Sequence, residues 1–251
     1  MEFSQILELL SSGLGQTLLM TLLATFFAYL VGVPLGVILT ITAKDSISPC
    51  IWLNKTLNIL VNIFRSIPFL ILLVFVMPLT KLIVGTRIGT AASIVPLVIA
   101  AIPFIARMIE SSLNEVSKGV IEAAQAMGTS KFKIIYKVLL PEAKPSLLIG
   151  FAISITTILG YSAMAGFVGG GGLGDIAYQY GYVRNETELM WFTIILLVII
   201  VQVFQEVGML LAKKLDHRIN KYKEKKIYEK TICLIIIYYC LTCIFNFLWR
   251  K

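Results

Sequence analysis

Five long apolar stretches constrain the fold of this chain more than any other feature. They lie near residues 17–41, 58–80, 88–106, 146–166 and 190–212. A helix needs about 20 apolar residues to cross about 30 Å of hydrocarbon, and each stretch is close to or above that length. Because 58% of the residues are hydrophobic and only 14% are charged, a soluble globular domain is excluded. We therefore predict an all-α polytopic membrane protein with one membrane domain.

The distribution of basic residues predicts the orientation. With the N-terminus outside, 17 of the 22 Lys and Arg residues fall on the cytoplasmic side, 3 in outside loops and 2 at the C-terminal end. An excess of Lys and Arg is typical of cytoplasmic loops. Residues 1–16 are then an outside segment, and residues 17–215 form the membrane domain with a long cytoplasmic loop at 107–145. The net charge of +8 reflects this orientation rather than affinity for nucleic acid.

Residues 216–251 form an atypical tail that is first basic and then hydrophobic. From Lys213 onwards the chain contains no Gly, Ala or Val, although these residues abound earlier. The segment 231–248 is consistent with a short sixth span or with an appended tail, and its composition favours the appended tail. The cysteines show no disulfide or zinc spacing, so we predict no metal site. They are Cys50, Cys233, Cys240 and Cys243.

The loop 107–145 contains the pattern of two short helices joined by a corner. Residues 120–127 are good helix formers, Gly128 is a natural C-terminal stop, and a second helix is predicted over 131–140, ended by Pro141. Small residues on the first helix leave a thin surface that another backbone can approach closely. We predict a compact knob that a soluble partner grips, rather than an ordinary amphipathic loop. Its key residues are Glu122, Ala123, Ala124, Gly128, Leu140 and Pro141.

Two features within the apolar stretches call for a structural explanation. Arginine in an apolar run is costly, so Arg65 either extends to the interface as an anchor or faces a polar cavity as part of a gate. Pro68 fits the first turn of a helix that begins after Arg65. The first span contains Gly32, Pro34 and Gly36, a cluster that indicates a kink or a close helix contact, and we favour the contact.

A glycine-rich turn follows the fourth apolar stretch. Its glycines formally match G-x-G-x-x-G, but no strand precedes them and the orientation places them outside the cell. We therefore predict a flexible outside turn rather than a nucleotide site. The glycines are Gly169, Gly170, Gly171, Gly172 and Gly174.

Taken together, the loop pattern resembles the signature loop of ABC-transporter importer permeases. The spacing from the Glu-Ala-Ala triplet through Gly128 to Leu140-Pro141 carries the resemblance. The segments 62–69 and 160–164, the latter followed by the glycine turn, look like the methionine-importer branch of these permeases. The resemblance covers roughly residues 10–215 and does not extend to the tail.

The resemblance implies a type I importer permease with five core transmembrane helices and a possible sixth C-terminal helix, in a bacterial inner membrane. It also implies a homodimeric pore, cytoplasmic ABC ATPase subunits, an extracytoplasmic substrate-binding protein that is often a lipoprotein, and lipid contacts. The chain has no Walker motif, so it is expected not to be an enzyme and to bind no cofactor. ATP and Mg then belong to the partner ATPase.

The implied substrate is methionine, as the D form, the L form or both. Another amino acid or small solute is the alternative, and a stand-alone secondary carrier or a non-transporting scaffold are the rivals from other classes. Glu122 is expected to meet a basic group of the ATPase. The thioether of Met164 is a candidate substrate contact, although methionine at such a position is more often plain packing. The pathway or gate candidates are Arg65, Ser66, Pro68, Tyr161, Ser162 and Met164.

Overall fold

A computed structural model describes residues 3–215, and the statements below refer to these residues. Ten α-helices follow one another in the described range. They are α1 (Phe3–Ile41), α2 (Ile51–Ser66), α3 (Phe69–Val84), α4 (Thr90–Asn114), α5 (Lys118–Ala126), α6 (Lys131–Ile134), α7 (Leu140–Glu142), α8 (Lys144–Ala165), α9 (Gly172–Ile176) and α10 (Thr187–Leu215). Wider π-helical turns lie at Ile135–Leu139 and Ala177–Val183, and no strand is found among these residues. The all-α prediction is confirmed, while the tail and its sixth span lie outside the described residues.

The expected number of spans is confirmed, but two of them differ in shape. Four helices are long and apolar enough to cross a membrane, and the pair α2 and α3 provides a fifth, broken span. α1 begins at Phe3, so no break in the helix separates residues 3–16 from the first span.

The second apolar stretch, predicted near 58–80, is a bent pair of helices, and a new helix begins after Arg65 as predicted. α2 and α3 meet at an angle of 106°. Ile67 has an extended backbone with ψ of 123°, because the ring of Pro68 disfavours a helical conformation in the residue before it. Pro68 precedes the first residue of α3, which begins at Phe69.

α4 is the central helix of the bundle and packs against α1, α2, α3 and α8. Its residues Leu97, Ala101 and Ile105 are completely buried. Facing them, Gly32 and Gly36 of α1 lie four residues apart and let the two backbones approach. A Cβ atom on Gly36 would lie 2.6 Å from the Cβ of Ile109 and 2.7 Å from the carbonyl oxygen of Ala106. The close-contact interpretation of this glycine cluster is confirmed.

The glycine turn that follows the C-terminal end of α8 is closely packed, whereas the sequence predicted a flexible turn. A Cβ on Gly174 would lie 2.1 Å from the carbonyl oxygen of Ala163, so α9 folds directly onto the end of α8. The side chain of Gln16 accepts a hydrogen bond from the Gly172 N–H at 2.7 Å, and the hydroxyl of Thr17 accepts one from the Leu173 N–H at 2.9 Å. These bonds fasten the turn to α1.

We expect Gly36→Ala to destabilise the fold by about 1–3 kcal/mol, since the added methyl group meets the Ala106 carbonyl and the Ile109 side chain at overlapping distance. The matched control is Gly15→Ala on the same helix, where a Cβ meets no atom within 4 Å. The control should leave the stability unchanged or raise it by about 0.5–1 kcal/mol. Thermal unfolding of the two purified variants in detergent measures the difference, and equal unfolding temperatures would contradict the packing role.

Candidate functional site

The corner of the polar loop is a glycine-terminated helix end. After α5, the Gly128 N–H donates to the carbonyl of Gln125 and the Thr129 N–H donates to the carbonyl of Ala124. Gly128 has a left-handed φ of 72°, and a Cβ added there would meet nothing within 4 Å. This is the Schellman arrangement, in which a residue in the left-handed region satisfies the last carbonyls of a helix. Glycine is therefore favoured here by backbone conformation and not by lack of space.

The second helix of the loop differs from the prediction. α6 covers only four residues and continues through the π-helical turn Ile135–Leu139 into α7. Pro141 does not end this run, as the sequence suggested; it lies in the first turn of α7. A proline is tolerated in a first turn because its missing N–H would have no intrahelical partner there. The helical direction is thus carried from the loop almost directly into α8.

One side of the knob is anchored and the other is open. Ala124, Ile134 and Leu139 are buried, whereas Glu122 and Ala123 are exposed. Three large apolar side chains of this polar loop are more than 60% exposed: Met127 and Phe132 at 77% each and Tyr136 at 65%. We call Met127, Phe132 and Tyr136 the apolar surface of the knob. The sequence analysis missed them, although large apolar residues in an otherwise polar loop are the signal that could have found them.

A charged cleft of about 320 Å³ lies between α5 and the connection from α1 to α2. Glu122 lines this cleft together with Lys44, Asp45 and Lys118 of its own chain. The Lys131 ammonium donates to the hydroxyl of Ser48 at 3.2 Å, so the same connection also holds the second half of the loop. Lys44 and Lys118 therefore share this cleft with Glu122.

Two pathway candidates far apart in sequence meet at the bend between α2 and α3. Arg65 and Tyr161 line a cavity of about 180 Å³. The rings of Tyr161 and Phe69 stack with centroids 4.6 Å apart and planes inclined by 8°. The cavity is also lined by Phe64, Ala100 and Phe104.

The remaining pathway candidates do not line this cavity. The Ser66 hydroxyl donates to the carbonyl of Asn62 at 2.8 Å within α2. Ser162 is buried and donates to the carbonyl of Leu159 at 2.7 Å. Met164 packs against the hydrophobic core that α4 and α1 share. Pro68 lies at the bend, directly before the first residue of α3.

A second arginine near the bend is fully engaged by neighbouring side chains. Arg107 forms an ion pair with Glu110, three residues later on α4. Its other guanidinium nitrogen donates to the side-chain oxygen of Asn62 at 2.8 Å, which ties α4 to α2. The sequence analysis did not single out this bridge, because the two residues are 45 positions apart.

One acidic residue beside the glycine turn has a shifted pKa. Burial raises the pKa of the Asp175 carboxyl above its ordinary value. Between Phe3 and Leu215, no group of three or more His, Cys, Asp or Glu residues is arranged to hold a metal ion.

Apolar spans packed around the central span α4, with a long helical loop beyond them, define a multi-pass helical membrane protein. The chain belongs to the family described as binding-protein-dependent transport system inner membrane component, whose profile matches residues 32–221. This family assignment also places the protein in the inner membrane.

Curated relatives and solved structures resemble the chain over most of its length. It is 51% identical over 211 residues to the probable D-methionine transport system permease protein MetI of Vibrio cholerae, covering 84% of this chain and 94% of that protein. The MetI protein of Pasteurella multocida is 44% identical over 214 residues, covering 85% and 99% of the two chains. A chain in an inward-facing structure of the MetNI methionine ABC transporter superposes with a TM-score of 0.85 at 46% identity, covering 86% of this chain and all of that one (100%).

We expect Gly128→Asn to preserve the corner of the knob and Gly128→Val to destabilise it by about 1–2 kcal/mol. Asparagine tolerates the left-handed region, whereas a β-branched side chain is strained there even though the space is open. Limited proteolysis of the loop in both purified variants, at equal protease concentration, measures the effect. Equal cleavage of the two variants would contradict a conformational requirement for glycine.

Proposed function

We propose that this chain is the transmembrane permease subunit of an ATP-driven importer for methionine. Two copies form the pore, and a separate ATPase drives it through the loop 117–141. The observation that carries the proposal is the extensive match to the MetNI methionine ABC transporter, at 46% identity over the whole of the matched chain. The relatives named as D-methionine permeases support the D form as a substrate, and the proposal includes the L form.

The loop is proposed as the docking surface for the ATPase. Exposed apolar surface rimmed by polar residues is typical of an interaction site, and Met127, Phe132 and Tyr136 provide it here. Ala123 is exposed on the preceding helix and offers little steric hindrance to a partner. Glu122 and Gly128 act in different ways: Glu122 supplies a charge beside the cleft, and Gly128 fixes the angle of the corner. ATP and Mg bind to the ATPase.

The transport cycle follows from the orientation expected from the basic residues. With the N-terminus outside, the knob faces the ATPase in the cytoplasm and the glycine turn faces an extracytoplasmic substrate-binding protein. ATP binding closes the ATPase pair, the docked knobs move with it, and the spans open outward to receive the substrate. Hydrolysis returns the pore to the inward-open state, so the two states alternate by rigid-body movement.

Docking is tested by placing a charge in the apolar surface of the knob. We expect Met127→Asp or Phe132→Asp to reduce co-purification of the cognate ATPase about tenfold or more, because central apolar contacts dominate most interfaces. Lys133→Gln is the matched control, since it changes an exposed polar residue of the same loop. ATPase recovered per permease is the measurement. Wild-type recovery with both aspartate variants would move the docking surface elsewhere.

Transport is tested in proteoliposomes that contain the full chain, its cognate ATPase and its binding protein. We expect uptake of labelled methionine that requires ATP and is blocked by excess unlabelled methionine. Hydrolysis stimulated by the binding protein without methionine uptake would overturn the substrate while retaining the importer. Uptake that proceeds without ATP would overturn the ATP-driven mechanism in favour of a secondary carrier.

A further inference from the structure

We propose that the cavity at the bend between α2 and α3 is the site where the transported amino acid binds within the permease. Its carboxylate is held by the guanidinium of Arg65, and its side chain lies against the rings of Phe69 and Tyr161. This proposal rests on the function proposed above and assigns a binding role to particular residues of the pore. The ligand is an amino acid with a free carboxylate and an apolar side chain of moderate size.

Two arginines near the bend differ in their hydrogen-bond partners. Arg107 is satisfied by Glu110 and Asn62, whereas Arg65 has no hydrogen-bonding or ionic partner within residues 3–215. Arg65 is exposed and lines the cavity, so its guanidinium is free to meet an anion there. Guanidinium matches the geometry of a carboxylate, to which it donates two parallel hydrogen bonds. The unpaired guanidinium of Arg65 therefore supplies the charged end of a site for an amino acid.

The cavity walls other than Arg65 are rich in aromatic side chains. Phe64, Phe69, Phe104 and Tyr161 surround the cavity with aromatic surface. Thioether sulfur makes favourable contacts with aromatic rings at about 5 Å, worth roughly 0.3–1.5 kcal/mol each. The stack of Phe69 on Tyr161 holds two of these rings in place before a ligand arrives. Such walls suit the side chain of methionine better than that of a charged or strongly polar amino acid.

The size of the cavity and its position at the bend also suit one small ligand. At about 180 Å³ the cavity is smaller than the roughly 300–1,000 Å³ of sites for drug-sized ligands, so it suits one small molecule and excludes peptides or oligosaccharides. Arg65 precedes the bend and Phe69 follows it, so any change in the angle between α2 and α3 changes the distance between the two ends of the site. Rearrangement of this one hinge would both open the pathway and release the ligand.

The principal test compares Arg65→Gln with Arg65→Lys in the complete reconstituted transporter. We expect the glutamine variant to lose methionine uptake about ten- to a hundredfold, because it removes a charge-assisted pair of hydrogen bonds. The lysine variant keeps the charge but not the planar fork, so a smaller loss is expected. Assembly with the ATPase is checked by size-exclusion chromatography of each complex.

A binding measurement separates the permease from the binding protein. A photoreactive methionine analogue carrying a diazirine is cross-linked to the detergent-solubilised permease–ATPase complex without the binding protein, and labelled peptides are mapped by mass spectrometry. We expect labels on the segments that contain Phe69, Phe104 and Tyr161, with competition by methionine. Methionine amide, which lacks the carboxylate, should compete at least tenfold less well, and Arg65→Gln should abolish the labelling.

Variants that leave Arg65 intact keep the test decisive if Arg65→Gln does not assemble. Ala100→Phe fills the cavity and should block both labelling and uptake, whereas Ala91→Phe, at an exposed position of the same helix, should not. Tyr161→Ala, which removes one of the two stacked rings, should likewise lose uptake and labelling.

The outcomes distinguish this proposal from the function on which it rests. Wild-type uptake in Arg65→Gln with unchanged labelling would overturn the cavity assignment and leave Arg65 as a lipid-headgroup anchor, with methionine import intact. Normal uptake and labelling by Ala100→Phe would likewise overturn the assignment. Failure of the wild-type complex to take up methionine would instead overturn the proposed function.

Discussion

The contact between α1 and α4 supports the rest of the bundle. In a membrane there is no hydrophobic driving force between helices, because lipid tails are as apolar as leucine, so close van der Waals packing must hold them together. Gly32 and Gly36 allow that packing by removing the side chains that would separate the helices. α4, once fixed to α1, presents its other faces to α2, α3 and α8. Both candidate sites depend on this arrangement, since α4 lines the cavity and then extends into the polar loop.

The interruptions of the helices lie where other groups satisfy or replace the missing backbone hydrogen bonds. Irregular backbone at membrane depth is tolerated only when it is buried in protein or borders a polar cavity. The glycine turn meets this condition through Gln16 and Thr17 of α1, which accept hydrogen bonds from its N–H groups. The break at Ile67 meets it by bordering the cavity that Arg65 lines. Each interruption therefore coincides with a place where the helices change direction for a structural or functional reason.

Two helical runs lead from the loop towards the cavity. α4 carries Ala100 and Phe104 at the cavity, then Arg107 at the bridge to α2, and ends at Asn114 just before the knob. On the other side, the run from α6 through α7 leads into α8, which carries Tyr161. The helices on both sides of the knob therefore lead to walls of the cavity. The hydrogen bond from Arg107 to Asn62 also ties α4 to α2, on the first side of the bend.

The amino-acid sequence by itself determined the number of spans and the position where the first helix of the loop ends. Length and hydropathy fix a span, and Gly128 ends a helix through its own backbone freedom, so both are readable from neighbouring residues. The tertiary structure decided which faces meet. It set the 106° bend, turned Ser162 and Met164 into the protein interior, and placed Arg65 beside Tyr161, which lies on another helix. It also exposed Met127 and Phe132, because the apolar character of a side chain does not by itself determine whether it is buried. The physical reason is that helix formation depends on local hydrogen bonds and conformational preferences, whereas the surroundings of a side chain depend on packing between segments distant in the chain.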